Sequence, residues 1–204
     1  MSTLIQPLES RRLFSVTAAT LAADLSATKT TGAAVKTALA SITKVAVSDL
    51  KSLKADLKGS ASTSNKSLLK AVTTDENQLV SKLKADVAAL LKAGTVAKRG
   101  AADGASLLKK STAKLVTKVH ADITALSSAT AAPLATLNTD AHGSAVNAAL
   151  TSLLSANTSN ATLANDVAKT NSDNTTLGTA IVTKSQAFGS AVGALGTDLS
   201  ALVA

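Results

Sequence analysis

The sequence of 204 residues contains no cysteine, tryptophan or tyrosine, and only two phenylalanines, Phe14 and Phe188. Without cysteine the chain can form no disulfide bond, no thiolate nucleophile and no cysteine-ligated metal site. With two aromatic residues, burial of apolar surface depends on leucine, valine and alanine. Because each buried alanine removes little surface from water, we expect thin apolar seams between helices.

Long hydrophobic runs are also missing. No stretch approaches the roughly 18 apolar residues of a membrane-spanning helix, because lysine, threonine or serine interrupts each one. The sequence therefore predicts a protein that is not an integral helical membrane protein. Gly100 and Gly104 form no phosphate-binding motif and are interpreted as a loop.

The two histidines are poor candidates for chemistry. His120 and His142 each lie two residues from an aspartate, Asp122 and Asp140, and residues two apart do not share a helix face. His120 is predicted to be a solvated surface side chain, and His142, which precedes Gly143, to contact the C-terminal end of a helix. No carboxylate pair stands out for acid–base work. We therefore expect no catalytic, cofactor-binding or metal site, no small-molecule substrate, and a protein that is not an enzyme.

A degenerate helical repeat runs through the chain. Residues 79–90 and 115–126 share seven identities in twelve, and each contains an aspartate with apolar residues six and three positions before it and one after. These intervals place the apolar residues on one helix face. Leu53, Leu83, Val119 and Leu195 are predicted to be equivalent core positions, and the repeat aspartates are placed on the polar flank.

The last repeat has the spacing of a coiled-coil seam. Steps of seven, four, three, four and three separate its apolar residues, which alternate in the manner of heptad a and d positions. Gly189, Gly193 and Gly196 on the same segment could allow close helix packing, or reflect ordinary alanine/glycine drift. The predicted seam is Ile181, Phe188, Val192, Leu195, Leu199 and Leu202.

Turn-forming residues divide the apolar pattern into predicted helices. The breaks are placed at Gly32, 59–65, 94–104, Pro133, Gly143, 157–160 and 171–174. The fold class that follows is all-α: an elongated antiparallel bundle of long, amphipathic, alanine-rich helices with coiled-coil-like seams. The predicted helices are 16–28, 33–58, 66–93, 105–130, 144–156 and 175–203, with shorter pieces at 133–142 and 160–170.

The N-terminal segment carries the one recognisable motif. Leu8, Glu9, Arg11, Leu13 and Ser15 match the pattern of a LEPR-XLL region, with Ser10 in place of proline and Phe14 in place of a second leucine. The segment thus resembles the region found near the start of many exported or surface proteins of planctomycete bacteria. The resemblance covers residues 8–15 and implies export or the cell envelope, and no activity.

A simpler interpretation of this segment stays open. Arg11 and Arg12 could be a solvated charge pair that opens the first helix, since the segment lacks a long hydrophobic core and a clear cleavage site. By composition we divide the chain into an N-terminal segment, 1–28, a basic helical region, 29–132, and a weakly acidic helical region, 133–204. The last two regions are expected to pack as one domain.

Charge is distributed unevenly. Residues 29–118 contain 17 Lys and Arg against 6 Asp and Glu, whereas residues 119–204 contain 2 against 5. A basic segment of this kind fits an anionic surface or a polyanion, or simply a solvated face that keeps the bundle dispersed. The lysines predicted to lie away from the leucine seam, and so to be free for anion contact, are Lys66, Lys70, Lys84 and Lys92.

Two classes of function remain open from the sequence. The first is a non-enzymatic structural or interaction protein that is exported to the cell envelope or surface, with helix-mediated self-association as one mode of contact. The second is a helical coat protein that binds an anionic or apolar surface, such as nucleoid DNA, lipid or a polymer granule. The partner itself is unknown at this stage.

Overall fold

The computed structural model describes residues 16–59 and 62–204, and most of these residues lie in five α-helices joined by short turns. No β-strand occurs in them, so the prediction of an all-α helical bundle is confirmed. Four of the five helices are long, reaching 47 residues in the second. The helices are α1 (Ala18–Asp56), α2 (Thr63–Lys109), α3 (Ala113–Asp140), α4 (Ser144–Ser155) and α5 (Ala161–Val203).

Polar side chains cap the starts of the long helices. In α1, Thr17 and Thr20 form a reciprocal pair of side-chain to backbone hydrogen bonds. The Ser62 hydroxyl oxygen accepts from the amide of Asn65 at the start of α2, and the Asn160 side-chain oxygen accepts from the amide of Leu163 in α5. Each bond satisfies an amide that has no partner inside the helix, which fixes where the helix begins.

The abundant threonines are compatible with helix because their hydroxyls bond within it. Thr28 donates to the Asp24 carbonyl, Thr170 to the Asp166 carbonyl and Thr179 to the Thr175 carbonyl, each four residues back. A threonine bonded in this way needs no partner from another helix. The polar faces can therefore be rich in threonine without interrupting the helices.

Four predicted breaks are wrong. Helix α1 continues through Gly32, α2 through residues 94–104, α3 through Pro133 and α5 through residues 171–174. The breaks at residues 59–65, Gly143 and 157–160 are confirmed, and a break at 110–112 was not predicted. A glycine costs a helix only about 1 kcal/mol relative to alanine, so packing along a long helix outweighs it.

Gly143 lies between α3 and α4, and its backbone conformation explains why the two helices are separate. Its φ of 57° and ψ of 32° lie in the left-handed region, where a side chain on the β-carbon is strained. Asn147 then donates its amide to the Gly143 carbonyl as α4 begins. The glycine therefore allows the turn that separates α3 from α4.

The predicted seams are confirmed. Leu53, Leu83, Val119 and Leu195 are all buried, as are all six seam residues of α5 predicted from the heptad spacing. The repeat thus marks the residues that face the interior of the bundle. Gly193 and Gly196, in contrast, have no atom near enough for close packing, so the hypothesis of close packing at these two glycines is wrong.

Contacts divide the chain into two compact units, each built from segments of several helices. The described residues of unit 1 are 16–32, Leu90–Ala132 and Ala187–Ala204. Within it, Phe188 and Leu91 both lie against Gly32, and Leu199 lies against Gly100 and Gly104. The small residues of α1 and α2 therefore receive the large side chains of α5.

Unit 2 comprises Ala33–Ala89 and Pro133–Gln186. Its first part is a hairpin of α1 and α2, and its second part contains the end of α3, all of α4 and the first half of α5. Lys169 bonds Asp49, and Asn160 bonds the carbonyl of Asp56. These contacts show that α5 runs antiparallel to α1 in this unit.

Candidate functional site

Acidic and basic side chains are segregated by burial. Each of the 19 described Lys and Arg residues is exposed, whereas each of the 12 described Asp and Glu residues is buried or half-buried. The formal net charge of +8 therefore understates how positive the accessible surface is. Segregation of this kind raises the local concentration of anions at the surface.

The predicted anion-contacting lysines all lie on α2 and all are exposed. Lys66, Lys70 and Lys84 belong to unit 2, and Lys92 belongs to unit 1. Of the four, only Lys66 lines a cavity of unit 2 that is formed by residues of α1, the link after it and α2. The sequence therefore identified accessible lysines but missed those that surround that cavity, since they lie on α1 and in the link after it.

That cavity lies where the end of α1 meets the start of α2. Its volume is about 540 Å³, within the range of ligand-binding clefts. Ala55, Leu57 and Leu69 give it an apolar lining, and lysine side chains surround this lining. The lysines are Lys51, Lys54, Lys58 and Lys66.

Asn65 at the base of this cavity is held by a partner asparagine. Its amide nitrogen donates to Asn157 Oδ1 at 2.9 Å, and Asn157 Nδ2 donates back to Asn65 Oδ1 at 3.0 Å. Asn157 also donates to the carbonyl of Leu153. Because these amide groups bond each other, the cavity presents mainly apolar surface.

The repeat aspartates meet in pairs between helices. Burial and the neighbouring Asp198 carboxylate raise the pKa of Asp24, and burial together with Asp166 raises the pKa of Asp56. One carboxylate oxygen of Asp24 and one of Asp56 are buried without a hydrogen-bond partner. Two neighbouring carboxylates of this kind are stabilised by sharing one proton. The placement of these aspartates on the solvated flank is therefore wrong.

Asp86 shows the same behaviour beside the end of α3. Burial raises its pKa, and Asp140 raises it further. Lys82 forms its salt bridge with Asp140, at 3.6 Å, rather than with Asp86. In unit 1, Arg99 Nε binds Asp122 Oδ1. In both salt bridges the carboxylate lies on α3 and its basic partner on α2.

A second acidic cluster lies deeper in unit 2. Lys169 binds both Asp49, at 2.8 Å, and Asp173, and these carboxylates raise the pKa of Lys169. Burial raises the pKa of Asp49 in spite of the lysine. Burial also raises the pKa of Glu76, although Asn174 donates a hydrogen bond to it at 3.4 Å. Lys169 offsets part of the negative charge of Asp49 and Asp173, and Asn174 supplies a hydrogen bond to Glu76, so we interpret the cluster as a structural polar network.

Both histidines lie at the surface. His120 and His142 are both exposed, and the His142 ring nitrogen Nδ1 lies 2.6 Å from the Asn138 carbonyl, four residues back at the end of α3. Within residues 16–59 and 62–204, no group of three or more His, Asp or Glu side chains could hold a metal ion.

The targeting-like motif, which runs from Leu8 to Ser15 and includes Arg12, lies outside the described residues. Among the helices that the structure does describe, none is long and apolar enough to cross a membrane. Comparison with protein-family models, curated proteins and solved structures finds no match. The class of protein that the fold defines is an all-α helical bundle, and its surface and cavity are the basis for assigning a function.

Proposed function

We propose that the protein is a non-enzymatic interaction protein that binds an anionic lipid surface through its exposed lysines, and that it acts at the cell envelope or outside the cell. The observation that carries this proposal is the segregation of charge: the described cations are exposed while the described carboxylates are buried or half-buried. An anion that approaches the bundle therefore meets more accessible ammonium groups than accessible carboxylates.

Lipid is favoured over nucleic acid by the cavity. A duplex presents phosphates that lysines can bind, but it has no apolar group to place against Ala55, Leu57 and Leu69. An anionic lipid offers both an anionic head and an apolar chain. The N-terminal resemblance implies export and therefore supports a location at the cell envelope. A structural role at the envelope is compatible with the same lysine-rich surface.

The test is co-sedimentation of the full chain with vesicles of phosphatidylglycerol mixed with phosphatidylcholine. Vesicles of phosphatidylcholine alone and a DNA duplex serve as comparisons. We expect binding to the anionic vesicles, little binding to the neutral ones, and a steep loss of binding as salt is raised, because salt screens exposed charges. Tighter binding to the duplex than to the anionic vesicles would assign the lysines to nucleic acid instead.

Two variants that change the net charge by the same amount test whether the exposed lysines of α2 are responsible for vesicle binding. Lys70→Gln, Lys84→Gln and Lys92→Gln together remove three positive charges from α2. Thr176→Glu, Thr183→Glu and Ser190→Glu together add three negative charges on exposed positions of α5. A lysine near an anionic membrane contributes about 1 kcal/mol, so the first variant should bind at least about tenfold more weakly. An equal loss of vesicle binding in both variants would show that net charge, and not the lysines of α2 in particular, determines binding.

A further inference from the structure

We propose that the cavity at the junction of α1 and α2 in unit 2 binds the acyl chain of an amphipathic anion, and that the surrounding lysines hold its anionic head. This inference rests on the proposed function and names the ligand group that the surface would recognise. The ligand class is a single-chain anion, such as a fatty acid carboxylate, or the equivalent chain and head of an anionic lipid.

Size and lining both favour an acyl chain. The volume of about 540 Å³ is bounded by Ala55, Leu57 and Leu69. Leu57 is 6 % exposed, so it is anchored in the interior and gives the cavity a fixed apolar wall. The amide groups of Asn65 and Asn157 bond each other and need no polar group from a ligand. A chain without hydrogen-bonding groups therefore fits this interior at little desolvation cost.

The charge around the cavity favours an anionic head. Lys51, Lys54, Lys58 and Lys66 surround it, and no carboxylate is among its described lining residues. Lysine has a long apolar stem and a charged end, so each can contact the chain with its methylenes while its ammonium group reaches the head. A cationic or neutral amphiphile of the same length would leave the four ammonium groups without a counter-charge.

The binding experiment uses the full chain and dodecanoate as the probe, titrated calorimetrically below its critical micelle concentration. Dodecyltrimethylammonium tests the need for negative charge, and hexanoate tests the need for chain length. We expect saturable binding of dodecanoate at one site, with hexanoate and the cation binding at least about tenfold more weakly, since each lacks one of the two matched features. Equal binding of the three probes would overturn the proposal.

Two matched pairs of variants locate the site. Ala55→Trp places an indole in the cavity from an exposed position, and Ala40→Trp makes the same change at an exposed position of α1 that does not line it. Lys54→Gln with Lys58→Gln removes two ammonium groups from the rim, and Lys36→Gln with Lys44→Gln removes two elsewhere on α1. Only the first member of each pair should weaken dodecanoate binding.

The outcomes separate this proposal from the proposed function. Vesicle binding that persists while dodecanoate fails to bind would overturn the cavity proposal alone. Dodecanoate binding blocked by Ala55→Trp, in a chain that does not bind anionic vesicles, would support the cavity and overturn the surface proposal. If Ala55→Trp leaves dodecanoate affinity unchanged but alters the oligomeric state in sedimentation, a second copy of the chain occupies this surface and the cavity proposal is wrong.

Discussion

The two units use the same helical repeat to build different interiors. In unit 1, Leu199 and Phe188 of α5 pack against glycines of α1 and α2, and the described carboxylates are limited to Asp24 with Asp198, Asp103, and Asp122 with Arg99. Unit 2 contains the Asp49 cluster, the asparagine pair and two further carboxylate pairs. The repeat therefore specifies which residues face inward, while the neighbouring helix determines whether the contact is apolar or polar.

The largest expected effect is the introduction of a charge at the seam of either unit. Leu83 in unit 2 and Leu195 in unit 1 occupy the same position of the repeat and are 1 % and 0 % exposed. Leu83→Asp and Leu195→Asp should each lower the free energy of unfolding by about 4 kcal/mol, because each buries a carboxylate without a partner. Urea denaturation followed by circular dichroism measures both.

Lys84→Asp is the control for this experiment, since Lys84 is exposed beside the seam. It should change stability by less than about 0.5 kcal/mol. If Leu83→Asp were no worse than this control, the seam assignment in unit 2 would be incorrect. Unequal losses at Leu83 and Leu195 would show that the units differ in more than their polar contacts.

A smaller effect is expected where helices approach at a glycine. A methyl group on Gly178 in unit 2 would lie 2.2 Å from the backbone oxygen of Ala141, whereas one on Gly193 in unit 1 would meet no atom within 4 Å. Gly178→Ala should destabilise the protein by about 2 kcal/mol, because backbone must move to accept it. Gly193→Ala should instead stabilise by up to about 1 kcal/mol through helix propensity. Thermal melting of both variants decides between these signs.

Gly104 in unit 1 is the intermediate case. A methyl group there would lie 2.7 Å from Leu199 Cδ2 and 3.0 Å from Leu21 Cδ1. These atoms are the ends of side chains that can rotate away, so Gly104→Ala should cost less than Gly178→Ala. A larger loss at Gly104 would mean that the apolar interior of unit 1 is more rigid than the backbone contact in unit 2.

The smallest effect concerns the paired aspartates. Their folded pKa values are raised above the ordinary 3.8, so the folded state binds more protons than the unfolded chain. Their contribution to stability is therefore fully present below pH 3.8 and is lost as the pH rises through the raised values. The midpoint of urea denaturation at pH 4 should therefore exceed that at pH 7.5.

Asparagine variants measure how much each unit contributes to this pH dependence of stability. Asp24→Asn changes the pair in unit 1, and Asp56→Asn with Asp86→Asn changes the pairs in unit 2. Each neutral amide can donate a hydrogen bond to the remaining carboxylate and removes like-charge repulsion, which is worth on the order of 1 kcal/mol at pH 7.5. The gain should vanish at pH 4, and it should be larger for the double variant. Destabilisation at pH 7.5 would show that the pairs do not share a proton.

Much of the fold could be predicted because helical spacing is a local property. The positions of Leu53, Leu83, Val119 and Leu195, and the turn at Gly143, follow from periodicity and backbone conformation. The continuity of α3 through Pro133 could not be predicted. A proline inside a helix costs about 3 kcal/mol on propensity alone, and only the contacts of the folded chain can outweigh it.

The candidate site was predicted only in part. Lys66, Lys70, Lys84 and Lys92 were correctly placed away from the seam, because the position of a residue around a helix follows from its number. The cavity was missed because Lys51, Lys54 and Lys58 precede Lys66 across a turn, and periodicity within one helix does not show which residues of the next helix lie beside it.

By itself, then, the sequence determined the helical class, the seam residues and the identity of the accessible lysines, since each depends on short-range geometry. Tertiary structure alone decided that the aspartates turn inward and pair. An aspartate one residue from a seam lies at the edge of the apolar face. Whether it meets water or another carboxylate depends on the helix packed against it, and that helix comes from a distant part of the chain.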